Sequence, residues 1–470
     1  MTTLEVWLYG KLIGHITQTR RGGVFCYTSE IAGKYSSRPL LSMCMPVKSR
    51  PFGEEKTANW FEGLLPEGDR RDAIASEFGL SRYDWFGLLA EIGWECAGAV
   101  QVVPEGAMVG AENSYQPIGA DELAAQLAAL PHRRPEIKHE TFRMSLDGFQ
   151  NKITMARPAF SEREKREGYI TAEGMLLPLG NAPSTHILKV EDSENYPGSA
   201  ESEAWAMTAA SLAARCSKVA LLDLEGAPAT LVIERYDRIR SEQEPYIERL
   251  HQEDACQALG LFPKNKYAIS RILKGDEPSY KRIAELLVLY SKRCEDEYAE
   301  LLRQMTVNYV LGNRDAHAKN VSFLYLKPMS PVLAPLYDVL PITEVEPKTG
   351  ELALHIDGSI NPGDVSRSAL INEASSWGMD DEEAARIIDR CCEDIAKGLE
   401  IARERFGAAA EKHEPRTRER LALIAEGKAE SQIRKPVERT VQRKVEAGLM
   451  TEMQPRRGSE RDAGRFGLRI

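Results

Sequence analysis

Short runs of alternating apolar and polar residues open the chain. "LEVWLYGKLIGHI" alternates around Gly10 and predicts a hairpin, and "GAVQVVPEG" predicts a further strand. Between them, "TANWFEGLLPEGDRRDAIASEFGL" and "RYDWFGLLAEIG" have helical spacing. Residues 1–105 therefore read as a small α+β module. "ADELAAQLAAL" predicts a helix, and "HRRPEIKHETFRMSLDGFQNKITMAR" predicts a loop and then a hairpin bending at Asp147-Gly148. "STHILKVE" reads as a strand, "SAESEAWAMTAASLAARC" as a helix, and "KVALLDLEGAPATLVIERYDRI" as two strands. Residues 106–248 thus form a compact lobe.

From about Leu250 the period changes. "QEDACQALGL", "KRIAELLVLYSKR" and "YAELLRQMTVNYVLGN" space apolar residues three and four apart, as helices do. A later run puts Ile387, Ile388, Cys391, Cys392, Ile395 and Leu399 on one stripe. Residues 249–410 are expected to be a mostly helical lobe. Residues 411–470 carry Pro415, Pro436 and Pro455 among many charges and read as a basic tail, part helix and part disordered.

Composition narrows the class. The chain has 470 residues, 43% hydrophobic and 28% charged, which suits a globular chain with a sizeable core. Its net charge of -10 argues against a protein that coats nucleic acid along its length. The last forty residues hold ten Lys and Arg against five Asp and Glu, about +5, leaving about -15 elsewhere. Eight cysteines without a CxxC pair suggest free thiols rather than zinc or disulfides. No signal peptide or membrane span is expected, so the reading is cytoplasmic.

The chemistry centres on "GNRDAHAKN". Asp315 and Asn320 have the five-residue interval of a phosphotransferase catalytic loop, where the Asp accepts the proton of an attacking hydroxyl and the Asn binds Mg2+. Alone, such a pair more often makes turn hydrogen bonds, so other parts of a site must accompany it. "VLAPLYDVL" ends an apolar run on Asp338, either a turn residue or a second metal ligand. "HILKV" places Lys189 in an apolar strand, where it needs a carboxylate or phosphate; Glu201 and Glu203 follow on the next helix, Glu203 the better partner. "SLDGFQNK" offers Ser145, Gly148, Gln150 and Lys152 as a loop over phosphates or as a plain hairpin turn. In "VIERYDR", Glu234 and Tyr236 could offer backbone groups to an adenine at a hinge, or form an edge strand with an ion pair. The order of these elements is that of a two-lobed kinase.

These motifs, with "RLHQEDACQALGL", "NWFEGLLPEG" and "LLAEIGWECAGAV", resemble HipA-type serine/threonine kinases, the toxins of HipA and HipB toxin-antitoxin pairs. The resemblance runs to about residue 410. It implies an α+β, two-lobed protein-kinase-like fold with a small N-terminal module and a mostly helical C-terminal lobe. It also implies ATP- and Mg2+-dependent phosphorylation of a protein, typically an aminoacyl-tRNA synthetase, with growth arrest and persistence as consequences. Asp315 would be the base, Asn320 and Asp338 the metal ligands, and Lys189 the phosphate-binding lysine, with Gln150 and Lys152 in the covering loop. Ser145 would be an autophosphorylation site. His317 and Lys319 would serve nucleotide binding by positioning the loop. The expected partner is a HipB-like helix-turn-helix antitoxin that contacts operator DNA. Alternatives are a kinase of this fold with another substrate, or a catalytically idle co-repressor. The chain lacks His-Arg-Asp, Asp-Phe-Gly and a multi-glycine loop, so eukaryotic-type kinases are distant.

Overall fold

The computed structural model describes residues 2–109, 114–130, 152–240, 247–268, 277–327, 329–341 and 350–433. In the N-terminal module, β1 (Thr3–Leu8), β2 (Lys11–Thr19), β3 (Gly22–Tyr27) and β4 (Val100–Pro104) form an antiparallel sheet in the order β3-β2-β1-β4. The first hairpin turns at Tyr9 and Gly10, both left-handed (φ 53° and 70°), the twist that a tight hairpin between right-handed strands needs. α1 (Ser29–Tyr35), α2 (Glu54–Glu62), α3 (Gly68–Glu77) and α4 (Trp85–Ile92) complete the module. Phe25, Trp60 and Phe61 are fully buried at its centre. The run expected as one helix is two, α2 and α3. Pro66 cannot donate to a helix ladder, and Leu64 and Leu65 are buried in the intervening turn.

The next lobe contains β5 (Ser114–Pro117), α5 (Ala120–Ala129), β6 (Lys152–Met155), α6 (Glu162–Glu167), β7 (Tyr169–Ile170), β8 (Leu176–Leu179), β9 (His186–Val190), α7 (Ser199–Ala210), β10 (Val219–Leu222) and β11 (Thr230–Glu234). Five strands pair in the order β6-β9-β11-β10-β7, and β5 pairs with β8. β9 alternates strictly, His186, Leu188 and Val190 buried and Ile187 and Lys189 less so, so one face enters the core and the other carries Lys189. α7 is buried along nearly its whole length.

The chain then runs through β12 (Arg238–Arg240), β13 (Ile247–Arg249), β14 (His251–Asp254), α8 (Ala255–Leu259), α9 (Tyr280–Tyr290), α10 (Cys294–Leu311), β15 (Ser322–Lys327) and β16 (Ser330–Leu333). "QEDACQALGL" is not wholly helical. Its first residues are in β14, which pairs with β15, and Asp254 ends the strand by capping α8 in a capping box with Gln257. The predicted stripe lies on the helix Asp381–Arg405, with Ile388, Cys391, Ile395 and Leu399 buried. The helix Gly407–Ala425 contains residue 410, the expected lobe boundary, and packs on α7. Its His413 ring meets Trp205 at 5.6 Å, and His413 Nε2 lies 2.8 Å from Ser202 Oγ.

Candidate active site

α10 ends at Gly312, whose φ of 79° closes the helix and turns the chain into "NRDAHAKN". The loop is held by its own groups. The His317 amide donates to Asp315 O at 2.8 Å, the Asn320 side chain donates to the same carbonyl at 3.0 Å, and Asn313 Oδ1 accepts from the Asp315 amide at 3.2 Å. Asp315 and Asn320 are therefore in direct contact. The Tyr267 hydroxyl donates to Asp315 Oδ1 at 2.8 Å, and the Tyr267 ring meets His317 edge-on at 5.2 Å. Burial raises the Asp315 carboxyl above its ordinary range, against the opposing Tyr267 hydrogen bond. The side chain is still 40% exposed.

Asp338 follows β16 in the left-handed region (φ 57°), a conformation costly for a non-glycine residue and found where surroundings over-determine it. Those surroundings are visible. Asn313 Nδ2 donates to the Asp338 carbonyl at 3.2 Å and to Asn308 Oδ1 at 2.8 Å. The neighbouring Tyr337 hydroxyl donates to Lys319 O at 2.7 Å and shares a 2.6 Å hydrogen bond with Ser322. The Asp338 loop is thus tied to the Asp315 loop.

Lys189 joins the lobes. Its Nζ lies 2.6 Å from Glu203 Oε2 on α7 and 2.6 Å from Asp338 Oδ1. Glu203 is the partner, as expected. Glu201 lies elsewhere, its Oε1 accepting from the Ala409 amide at 3.3 Å. Burial raises Glu203 to about 6 against the pull of Lys189. Burial would also raise Asp338, but Lys189 outweighs it and holds that carboxyl below its usual range. Lys152 stands directly opposite Lys189 across β6 and β9, and its charge acts on both Glu203 and Asp338. Like charges facing each other across strands repel, so this pair requires anions nearby.

Glu234 ends β11 with its carboxylate 3.3 Å from Lys218, and the Tyr236 ring lies 5.7 Å from Tyr337. Tyr236 therefore abuts the Asp338 loop. Lys319 braces the loop: its buried ammonium bonds Asp254 Oδ2 at 3.0 Å and Gly63 O at 3.3 Å. His317 likewise lies within the fold, 7% exposed. Ser145, Gly148 and Gln150 lie outside the described residues. Tyr267, Lys266 and Glu67 escaped sequence reading, because neither periodicity nor spacing connects them to Asp315.

Two lobes meeting at a hinge, a strand lysine held by a helix glutamate, and an Asp-Asn loop leaving a helix define the two-lobed kinase-like class. Residues 144–399 match the HipA-like C-terminal domain, and residues 4–103 match the HipA N-terminal domain. The chain belongs to the HipA family. It is 32% identical over 409 residues to a Sinorhizobium fredii protein named "Putative kinase Y4mE", covering 84% of this chain and 92% of that one. It is 28% identical over 374 residues to the serine/threonine-protein kinase toxin HipA of Shewanella oneidensis, covering 77% and 80%. The fold matches HipA in the solved complex of Shewanella oneidensis HipA, HipB and operator DNA, with a TM-score of 0.73, 23% identity, and 90% and 98% coverage.

Proposed function

We propose that this chain is an ATP- and Mg2+-dependent serine/threonine-protein kinase acting as the toxin of a type II toxin-antitoxin pair. The observation that carries this reading is Lys189 reaching Glu203 in its own lobe and Asp338 in the other. A lysine so placed trades one carboxylate for nucleotide phosphates without losing its anionic surroundings. Lys152 beside it adds a second cation, and the hinge at Glu234 and Tyr236 takes the adenine.

The donors fit Mg2+. Asp338 is kept ionised by Lys189 and its side chain is 43% exposed, and Asn320 adds an amide oxygen. When bound, Mg2+ neutralises charge on the transferring phosphoryl group. Asp315 takes the proton from the acceptor hydroxyl on Oδ2 while Tyr267 holds Oδ1.

Phosphate on Ser145 would add about two negative charges to the covering loop and compete with ATP's own phosphates, a built-in brake. The expected partner is a HipB-like helix-turn-helix antitoxin bringing operator DNA, supported by the composition of the Shewanella complex. The substrate class, an aminoacyl-tRNA synthetase, rests on the family resemblance. Among the described residues no helix is long and apolar enough to cross a membrane.

The test incubates the purified chain with ATP, Mg2+ and lysate, beside Asp315→Asn and Asp338→Asn. Phosphate should appear on Ser145 and on lysate protein only with the unaltered chain. Equal labelling by all three refutes the proposal.

A further inference from the structure

The turn between α2 and α3, with the first residues of α3, belongs to the N-terminal module, yet it touches both lobes. Arg70 Nη1 donates to the Lys152 carbonyl at 2.5 Å, at the start of β6 where Lys152 faces Lys189. Glu67 Oε2 lies 2.8 Å from Lys266 Nζ, in a pair whose side chains are 18% and 9% exposed. The Gly63 carbonyl accepts from Lys319 at 3.3 Å. One turn thus grips the catalytic loop on one side and the phosphate-side strand on the other.

The Lys266 contact leads directly to the base. The Lys266 carbonyl accepts from the Ala318 amide at 3.1 Å, within the catalytic loop, and the next residue is Tyr267, bonded to Asp315. Glu67 therefore anchors a two-residue brace with one backbone and one side-chain hold on the loop. Among the described residues Arg70 has no carboxylate partner and its hydrogen bond goes to a backbone carbonyl, while burial draws its guanidinium down to about 10. Packing alone would be served as well by an apolar side chain, since a desolvated cation needs compensation.

We infer that Glu67 and Arg70 are positioning residues for phosphoryl transfer: Glu67 fixes the Asp315 carboxylate through Lys266 and Tyr267, and Arg70 fixes Lys152 through its carbonyl. The inference rests on the kinase reading. It makes the N-terminal module part of the catalytic apparatus, and it assigns the two residues different kinetic effects. Loss of the Glu67 anchor loosens the base and lowers kcat. Loss of Arg70 loosens the phosphate side and weakens ATP binding.

The experiment uses the full chain, radiolabelled ATP with Mg2+, and lysate protein as acceptor. It is paired with titration of a fluorescent ATP analogue with Mg2+ and with thermal unfolding. Glu67→Gln should lower kcat on the order of tenfold with the nucleotide Kd within about twofold of the unaltered chain, as for a displaced catalytic group. Arg70→Met should raise KM and Kd for ATP about tenfold with a smaller change in kcat, and Arg70→Lys should recover most of that affinity, since one donor suffices for one carbonyl. Reversing the pair with Glu67→Lys and Lys266→Glu together should restore kcat relative to Glu67→Lys alone. Labelling by the unaltered chain with variants indistinguishable from it overturns the inference and leaves the kinase reading standing. Equal kcat losses in both variants, tracking lowered unfolding temperatures with unchanged Kd, also overturn it. No labelling by the unaltered chain overturns both.

Discussion

Lys189 and Asp338 are 149 residues apart in the chain, and their charged atoms are 2.6 Å apart. The contact crosses from the strand-rich lobe to the helical lobe and so ties one to the other. Asp338 also holds a left-handed backbone, secured by Asn313. Asp338→Asn should keep the fold, because the Asn313 bond is to the backbone and Asn tolerates positive φ. On the proposed function it should lower phosphate transfer by at least about 100-fold, by removing the carboxylate proposed to hold Mg2+. Circular dichroism checks the first outcome and radiolabel transfer the second.

Glu203 is the deeper half of the lysine's environment, 2% exposed against 43% for Asp338. Breaking a buried pair from one side leaves a charge with too little compensation. Glu203→Gln should destabilise the fold by about 3 kcal/mol. The double variant with Lys189→Met should lose less than the two single losses combined, because the pair's desolvation is removed with it. Urea unfolding midpoints of the four proteins test this, and strict additivity would refute it.

Glu95 makes a similar case at the junction of the N-terminal module and the hinge. Its Oε1 lies 3.0 Å from Arg238 and 3.3 Å from Arg235, and its Oε2 bonds Arg249. Asp237 pairs with the first two arginines at 3.0 and 2.8 Å and accepts from the Gly98 amide at 2.7 Å. Two carboxylates therefore share three guanidinium groups. Glu95→Gln should cost about 3–5 kcal/mol, since the arginines stay buried with one anion fewer. A midpoint unchanged in urea would show the cluster to be solvated.

What was legible in the sequence was chemistry whose residue types are unusual in their setting. A lysine in an apolar strand demands a partner, and Glu203 and Asp338 both answer it. The Asp315 and Asn320 interval survived as a direct contact. Long-range support was illegible: Glu67 and Lys266 are separated by 199 residues, and Tyr267 lies 48 from Asp315, so no local pattern joins them. The helix Gly407–Ala425 was underread for another reason. Its buried face includes His413, Glu414 and Thr417, polar groups that bond Ser202, Arg403 and the helix backbone, so an apolar stripe was not there to find. The split of "QEDACQALGL" turned on Asp254, a cap residue whose side chain starts α8 and so ends a strand.

Glu253 couples the N-terminal module to β14 in a way that depends on pH. It is 1% exposed and accepts from the Met43 amide at 2.9 Å, Trp60 Nε1 at 2.9 Å and the Tyr325 hydroxyl at 2.7 Å. Burial raises its carboxyl to about 7, outweighing the Ser42 side chain and those three donors, whereas an unfolded glutamate titrates near 4.3. Below about pH 4 both states hold the proton, and the contribution of this group is fully present. As pH rises toward about 7, the unfolded chain releases its proton first and the folded chain keeps it, so stability falls by on the order of 3 kcal/mol across that window. His251, two residues away and lowered to about 4 by burial, has the opposite slope between about pH 4 and 6.5, because there the unfolded state binds the extra proton. The two therefore mask each other in the unaltered protein. Subtracting the unfolding free energy of Glu253→Gln from that of the unaltered chain at each pH isolates the glutamate. The difference should decline steadily from pH 4 to 7 and level off above it. A difference that is flat, or that rises with pH, would mean that its hydrogen-bond donors hold Glu253 ionised in the folded state.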